Sequence, residues 1–103
     1  MGRVEGSTDR GWIMALIIVR HKVKDFAIWK PAFEGHRASQ TAEGLLNPRV
    51  FRSADDPNEV VILFDAQDIG KAKQFADSPD LQSAMASAGV TDKPDIYFLN
   101  AAN

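Results

Sequence analysis

The sequence predicts an α+β domain in which two strand–helix–strand halves share one four-stranded antiparallel sheet, and three observations carry that reading. Apolar, β-branched runs at Ile13–Val23, Arg49–Ser53, Glu59–Asp65 and Asp95–Asn100 have the character of strands. Two intervening regions, opened by Asp25 and by Asp68, place apolar residues at helical spacing. The whole chain has 103 residues, which suits a single hydrophobic core. The order βαββαβ is that of the ferredoxin-like split βαβ fold, two right-handed crossovers around a hairpin.

Residues 1–12 are polar, glycine-rich and aperiodic, and are expected to form a flexible leader ahead of a domain over residues 13–103. After the first strand, Asp25 caps a helix whose stripe contains Phe26, Trp29 and Phe33. Pro31 should kink or restart that helix near Lys30-Pro31, and Gly44 should end it. Between the second and third strands, Asp55-Asp56-Pro57-Asn58 has the side chains of a turn. The second helical region divides in two, because Ser78-Pro79 supplies a new cap followed by proline at the first helical position, and Gly89 closes it.

The fold class implies sheet order 4-1-3-2, with the first and third strands central. Ala15, Ile17 and Val19 then face one way, and Met14, Leu16 and Ile18 the other. Both faces are apolar, yet two helical regions cover only one. A homodimer packed sheet against sheet is the expected cover for the other.

Composition narrows the function. Twelve basic and fourteen acidic residues are interspersed and leave a formal charge of −2, so no basic field exists to gather nucleic acid. The absence of cysteine removes disulfides and thiolate chemistry and fits a cytoplasmic location. The Trp12–Val19 apolar stretch is too short to span a membrane. Asp55, Asp56 and Glu59 lack a nearby histidine and the spacing of a calcium loop, so no metal site is expected. No phosphate loop, nucleotide fingerprint or nucleophile elbow occurs either.

The segments His21–Phe26, Trp29-Lys30-Pro31 with Phe33 and His36, Val50-Phe51-Arg52, Asp55–Val61 and Lys93–Leu99 resemble small proteins of the antibiotic biosynthesis monooxygenase-like group, within the dimeric α+β barrel superfamily. The resemblance spans about Ile13 to Asn100 and implies a pocket between sheet and helices of each monomer. It also implies a choice of chemistries, among them cofactor-free oxygenation of aromatic polyketides, haem degradation, isomerisation and cyclisation. The haem-degrading relatives use a histidine of the second helical region. Asp68–Gly89 contains none, and no cofactor is expected.

Within that frame the polar candidates are few. His36 shares a stripe with Phe26, Trp29, Phe33 and Gln40, and is either an acid–base group or a half-buried histidine at the helix edge. His21 lies on the face of Ile17 and Val19, which is either the pocket or the dimer contact. Some cyclases of the superfamily pair a first-strand histidine with a tyrosine, which suggests His21 with Tyr97; the alternative is a solvated strand end. Trp29, Phe33, Phe64 and Tyr97 are candidate walls for a flat substrate, or plain core. Arg37 and Arg52 are candidates to hold a carboxylate or enolate, or are surface charges. These readings give a cofactor-independent enzyme acting on an aromatic or polyketide-like small molecule, with a cyclase or isomerase, or a non-catalytic dimeric binding module, as alternatives.

Overall fold

A computed structural model describes residues 15–102; the leader expected over residues 1–12, together with Ile13 and Met14 of the expected first strand, lies outside the described residues. In chain order the elements are β1 (Ala15–Lys22), α1 (Phe26–Gly35), α2 (Arg37–Ala42), β2 (Leu45–Arg52), β3 (Glu59–Ala66), α3 (Ile69–Ala76), α4 (Pro79–Ser87) and β4 (Asp95–Asn100). They form one antiparallel sheet of order β2-β3-β1-β4, the 4-1-3-2 order of the ferredoxin-like fold.

Three of the four helices, α1, α3 and α4, start where a side chain satisfies an orphaned backbone donor, while α2 has no side-chain cap. Asp25 Oδ1 accepts from the Ala27 amide at 2.9 Å, Asp68 Oδ1 from Lys71 at 3.2 Å, and Ser78 Oγ from Leu81 at 3.1 Å. At the end of α4, Gly89 adopts φ +90°, a conformation that costs glycine little. The Gly89 amide then donates to the Ala86 carbonyl and the Val90 amide to that of Met85, a Schellman motif. The same turn ties α4 to the end of β1: Lys24 N–H donates to the Gly89 carbonyl at 2.8 Å, and Thr91 N–H to that of Lys22 at 2.9 Å.

Two local expectations are corrected. The helix does not restart at Pro31: α1 continues through it to Gly35, and the chain breaks at His36 instead. The ring deprives the Ala27 carbonyl of its donor, but Ala27 and Pro31 are both exposed, so water can serve that carbonyl. The second strand begins at Leu45 rather than Arg49. Its register shifts between Leu46 and Arg49, and Asn47 takes φ 52°, which lets the strand accommodate Pro48 on a sheet edge.

The two faces of the sheet differ in their cover. Ala15, Ile17, Val60, Ile62, Phe64 and Ala66 point under the helices and are buried with Trp29 and Phe33. On the opposite face Ile18 lies between Leu63 and Tyr97, and Leu16 beside Leu99, with Tyr97 53% and Leu99 42% exposed. Ion pairs border this apolar strip. At one end Arg20 meets Asp95 at 2.8 Å, Asp92 at 3.0 Å and Glu59 at 3.3 Å; at the other Arg49 meets Asp65 at 2.8 Å.

Because α1 continues through Pro31, Pro31→Ala should restore one helical hydrogen bond without repacking. Proline costs about 3 kcal/mol relative to alanine in a helix interior, partly offset by its restriction of the unfolded chain. A gain of about 2 kcal/mol in urea denaturation is the expected outcome. An unchanged or lowered midpoint would show that the ring itself stabilises this turn.

Candidate functional site

Between the helix-covered face of the sheet and its helices lies a cavity of about 90 Å³. Its floor is β1 and β3 with Ile96 and Phe98 of β4, and its roof combines α1, α2, α3 and α4. Among its lining side chains only His21, His36 and Gln40 are not apolar. The volume falls below the roughly 150 Å³ of an apolar cavity able to take benzene. A larger occupant must therefore protrude past the exposed His36 or displace part of the roof. The part that can yield is α4, which buries none of its residues and offers only half-buried Leu81, Ala84 and Met85 to the cavity.

Parity along β1 settles the ambiguity over His21. It shares the face of Ile17 and Val19, that face is the helix-covered one, and His21 is 2% exposed. Its ring meets Trp29 edge-on at 5.5 Å between centroids; Trp29 stacks on Phe33 at 4.9 Å, and Phe33 approaches Phe64 at 6.2 Å. These four rings form a continuous wall along the cavity. His21 Nδ1 is fully buried and has no hydrogen-bond partner among the described residues. Burial pushes the imidazole below its ordinary pKa of 6.5. The Asp92 carboxylate and the histidine's own backbone carbonyl oppose that shift without reversing it, and the Arg20 charge adds to it.

Asp92 fixes the backbone around this histidine. Its Oδ1 accepts from the Lys22 amide at 2.8 Å and its Oδ2 from Arg20 Nη2 at 3.0 Å, so it grips both sequence neighbours of His21. Those bonds hold the Asp92 carboxyl below its usual pKa. A neutral imidazole in an apolar wall, with a bare ring nitrogen, can accept a proton from a molecule beside it.

The remaining candidates separate cleanly. His36 lines the cavity from the α1–α2 junction, where it is exposed and its side chain caps neither helix. Trp29, Phe33 and Phe64 are walls and core at once. Tyr97 is neither a wall of the cavity nor a partner for His21, because it pairs with Ile18 and projects from the opposite face. Arg37 and Arg52 do not line the cavity either. Arg37 pairs with Glu34 at 3.5 Å, while Arg52 lies 4.1 Å over the Phe26 ring and donates to the Pro57 carbonyl at 2.8 Å. Among the described residues no group of three His, Asp or Glu is placed to hold a metal ion.

Gln40 was not anticipated as a site residue. It is 7% exposed and lines the cavity, and its Oε1 has no partner among the described residues. Its signal in the sequence is a polar residue continuing the stripe of Phe26, Trp29, Phe33 and His36. An unpaired buried acceptor costs about 1–3 kcal/mol, so two of them in one small cavity require an explanation.

The histidine contributes a pH dependence with a definite sign. Below about 6.5 the unfolded chain binds a proton that the folded chain resists, so stability should be full above that pH and decline as pH falls through it. Asp92 acts in the same direction only lower, near its ordinary value of 3.8. His21→Leu should therefore flatten the urea midpoint between pH 7 and about 5. A slope as steep as that of the parent would remove His21 from this account.

No family model matches this sequence, and no curated protein matches it significantly. Solved structures do match in fold. A protein assigned to the antibiotic biosynthesis monooxygenases from Bordetella bronchiseptica superposes with TM-score 0.72 at 17% identity, covering 87% of this chain and 98% of its own. SnoaB, a cofactor-independent oxygenase from Streptomyces nogalater, gives TM-score 0.67 at 17% identity over 86% and 93% of the two chains. Rv0793 from Mycobacterium tuberculosis gives 0.63 at 16% identity over 86% and 95%. The chain therefore has the antibiotic biosynthesis monooxygenase-like fold.

Proposed function

We propose that this protein is a cofactor-independent enzyme of the oxygenase type, a cytoplasmic homodimer acting on a small aromatic or polyketide-like molecule in the helix-lined cavity. The observation that carries the reading is His21, whose neutral imidazole presents a buried, unpartnered nitrogen at one end of an aromatic wall. The fold shared with a cofactor-independent oxygenase supports the reaction class.

In this reading His21 removes a proton from an acidic C–H or O–H of the substrate. The resulting carbanion or enolate, held near the imidazolium, gives an electron to dioxygen. Recombination forms a hydroperoxide, and loss of water leaves a carbonyl, so that R₂CH₂ + O₂ gives R₂C=O + H₂O. The proton taken by His21 returns to the peroxide oxygen; the imidazole then removes the second proton from that carbon as the O–O bond breaks, and this proton joins the departing hydroxide as water. Stacked Trp29 and Phe33 orient a flat ring, and His36 stands at the mouth as a second proton carrier.

The apolar strip of Leu16, Ile18, Val61, Leu63, Tyr97 and Leu99 supports a homodimer joined through the outer sheet face. Its bordering ion pairs remain at the rim of such an interface.

Oxygen uptake with hydroxylated anthrone-type compounds tests the chemistry. Loss of a general base typically costs 10²–10⁴-fold, so His21→Ala should lower kcat/KM by about that factor. Substrate consumed without oxygen would point to a cyclase or isomerase; binding without turnover would point to a binding module. In light scattering the parent should have the mass of two chains and Tyr97→Lys/Leu99→Lys that of one. A monomeric parent would end the dimer proposal.

A further inference from the structure

We propose that Gln40 is a specificity-determining residue of the cavity, which together with His21 selects a neutral ligand carrying two hydrogen-bond donors on an apolar body. This rests on the cavity being a ligand site, as the proposed function holds.

Two features of the wall set the chemistry. The first is what it lacks: among the described residues no lysine or arginine lines the cavity, and Arg37 and Arg52 are engaged elsewhere. A carboxylate or phosphate placed there would be desolvated without a counter-charge, so an anionic ligand is disfavoured. The second is what the wall leaves unpaired. Gln40 Oε1 can only accept a hydrogen bond. His21 Nδ1 accepts one when the other ring nitrogen carries the proton. Each is buried among apolar side chains, and a ligand hydroxyl is the simplest group able to pair it.

The two acceptors lie toward opposite ends of the cavity. His21 pairs with Val60 near the end of the sheet from which α1 departs. Gln40 sits five residues before Leu45, which pairs with Ala66 at the Ala15 end. The Trp29–Phe33–Phe64 wall runs between them. The ligand is thus an elongated apolar body with a donor near each end, and a site of this kind rejects an analogue that leaves one acceptor bare.

Three probes of one shape test this: 4-hydroxybenzyl alcohol, its benzylic methyl ether, and 4-hydroxybenzoate. All keep the phenol and differ only at the other end, as donor, acceptor and anion. Binding is followed by the NMR shift of the Trp29 indole N–H in labelled protein. One hydrogen bond is worth about 3- to 10-fold, so the alcohol should bind by that factor more tightly than the ether, with the benzoate weakest. In Gln40→Leu the alcohol should lose its advantage while the ether binds at least as well. In the parent protein, which needs no variant to fold, the Gln40 side-chain amide resonances should move with the alcohol and stay in place with the ether. Equal affinity of alcohol and ether in the parent, preference for the benzoate, or an alcohol advantage that survives Gln40→Leu would overturn the inference alone and leave the cavity as an apolar ligand site. Binding of none of the three would overturn both this inference and the proposed function.

Discussion

Alternation along β1 is the constraint on which the rest of the molecule depends. The strand is central, with β3 on one side and β4 on the other, so its odd and even residues are committed to opposite faces. The odd set, ending in His21, meets the helices; the even set, ending in Arg20 and Lys22, does not. A shift of one residue would send the imidazole to the outer face and bury the guanidinium in an apolar cavity. That alternative is blocked by the side chains of the outer face. Arg20 can satisfy three carboxylates only on that side, and Asp92 accepts from the Lys22 amide while bonding Arg20. An ion-pair cluster that looks decorative thus keeps the buried histidine in place.

The sequence made the architecture legible because the signals that specify it are local and redundant. Asp25, Asp68 and Ser78 cap the helices they were expected to cap, and the two central strands are apolar on both faces as their positions demand. The two misread places share a cause. Pro31 and Pro48 are residues whose local penalty depends on whether the bond they remove faces water, and burial is a property of the finished fold. Asn47 at positive φ and the register shift beside it have no distinctive pattern of their own.

The candidate site was legible in its apolar part and only half legible in its polar part. Phe33, Phe64 and Trp29 follow from spacing alone. The partnership of His21 with Tyr97 failed on parity, since pairing with Ile18 sends Tyr97 to the opposite face. The arginines failed because Glu34 and the Phe26 ring satisfy them outside the cavity. Gln40 became visible only once burial showed that its carbonyl has nothing to accept from. Structures at 15–17% identity share this fold, and a fold held in common does not by itself fix the chemistry of its cavity.

The Schellman turn at Gly89 has a kinetic consequence. It clamps the C-terminal end of α4 to β1, while no residue along that helix is buried deeply enough to lock the remainder. The helix is thus tied to the sheet at one end and, through the Ser78 turn, to α3 at the other, with half-buried contacts along its length. Entry of a guest wider than the resting gap would then be timed by displacement of the helix, not by diffusion to the surface. Small molecules would associate quickly and broad ones slowly, whatever their final affinities.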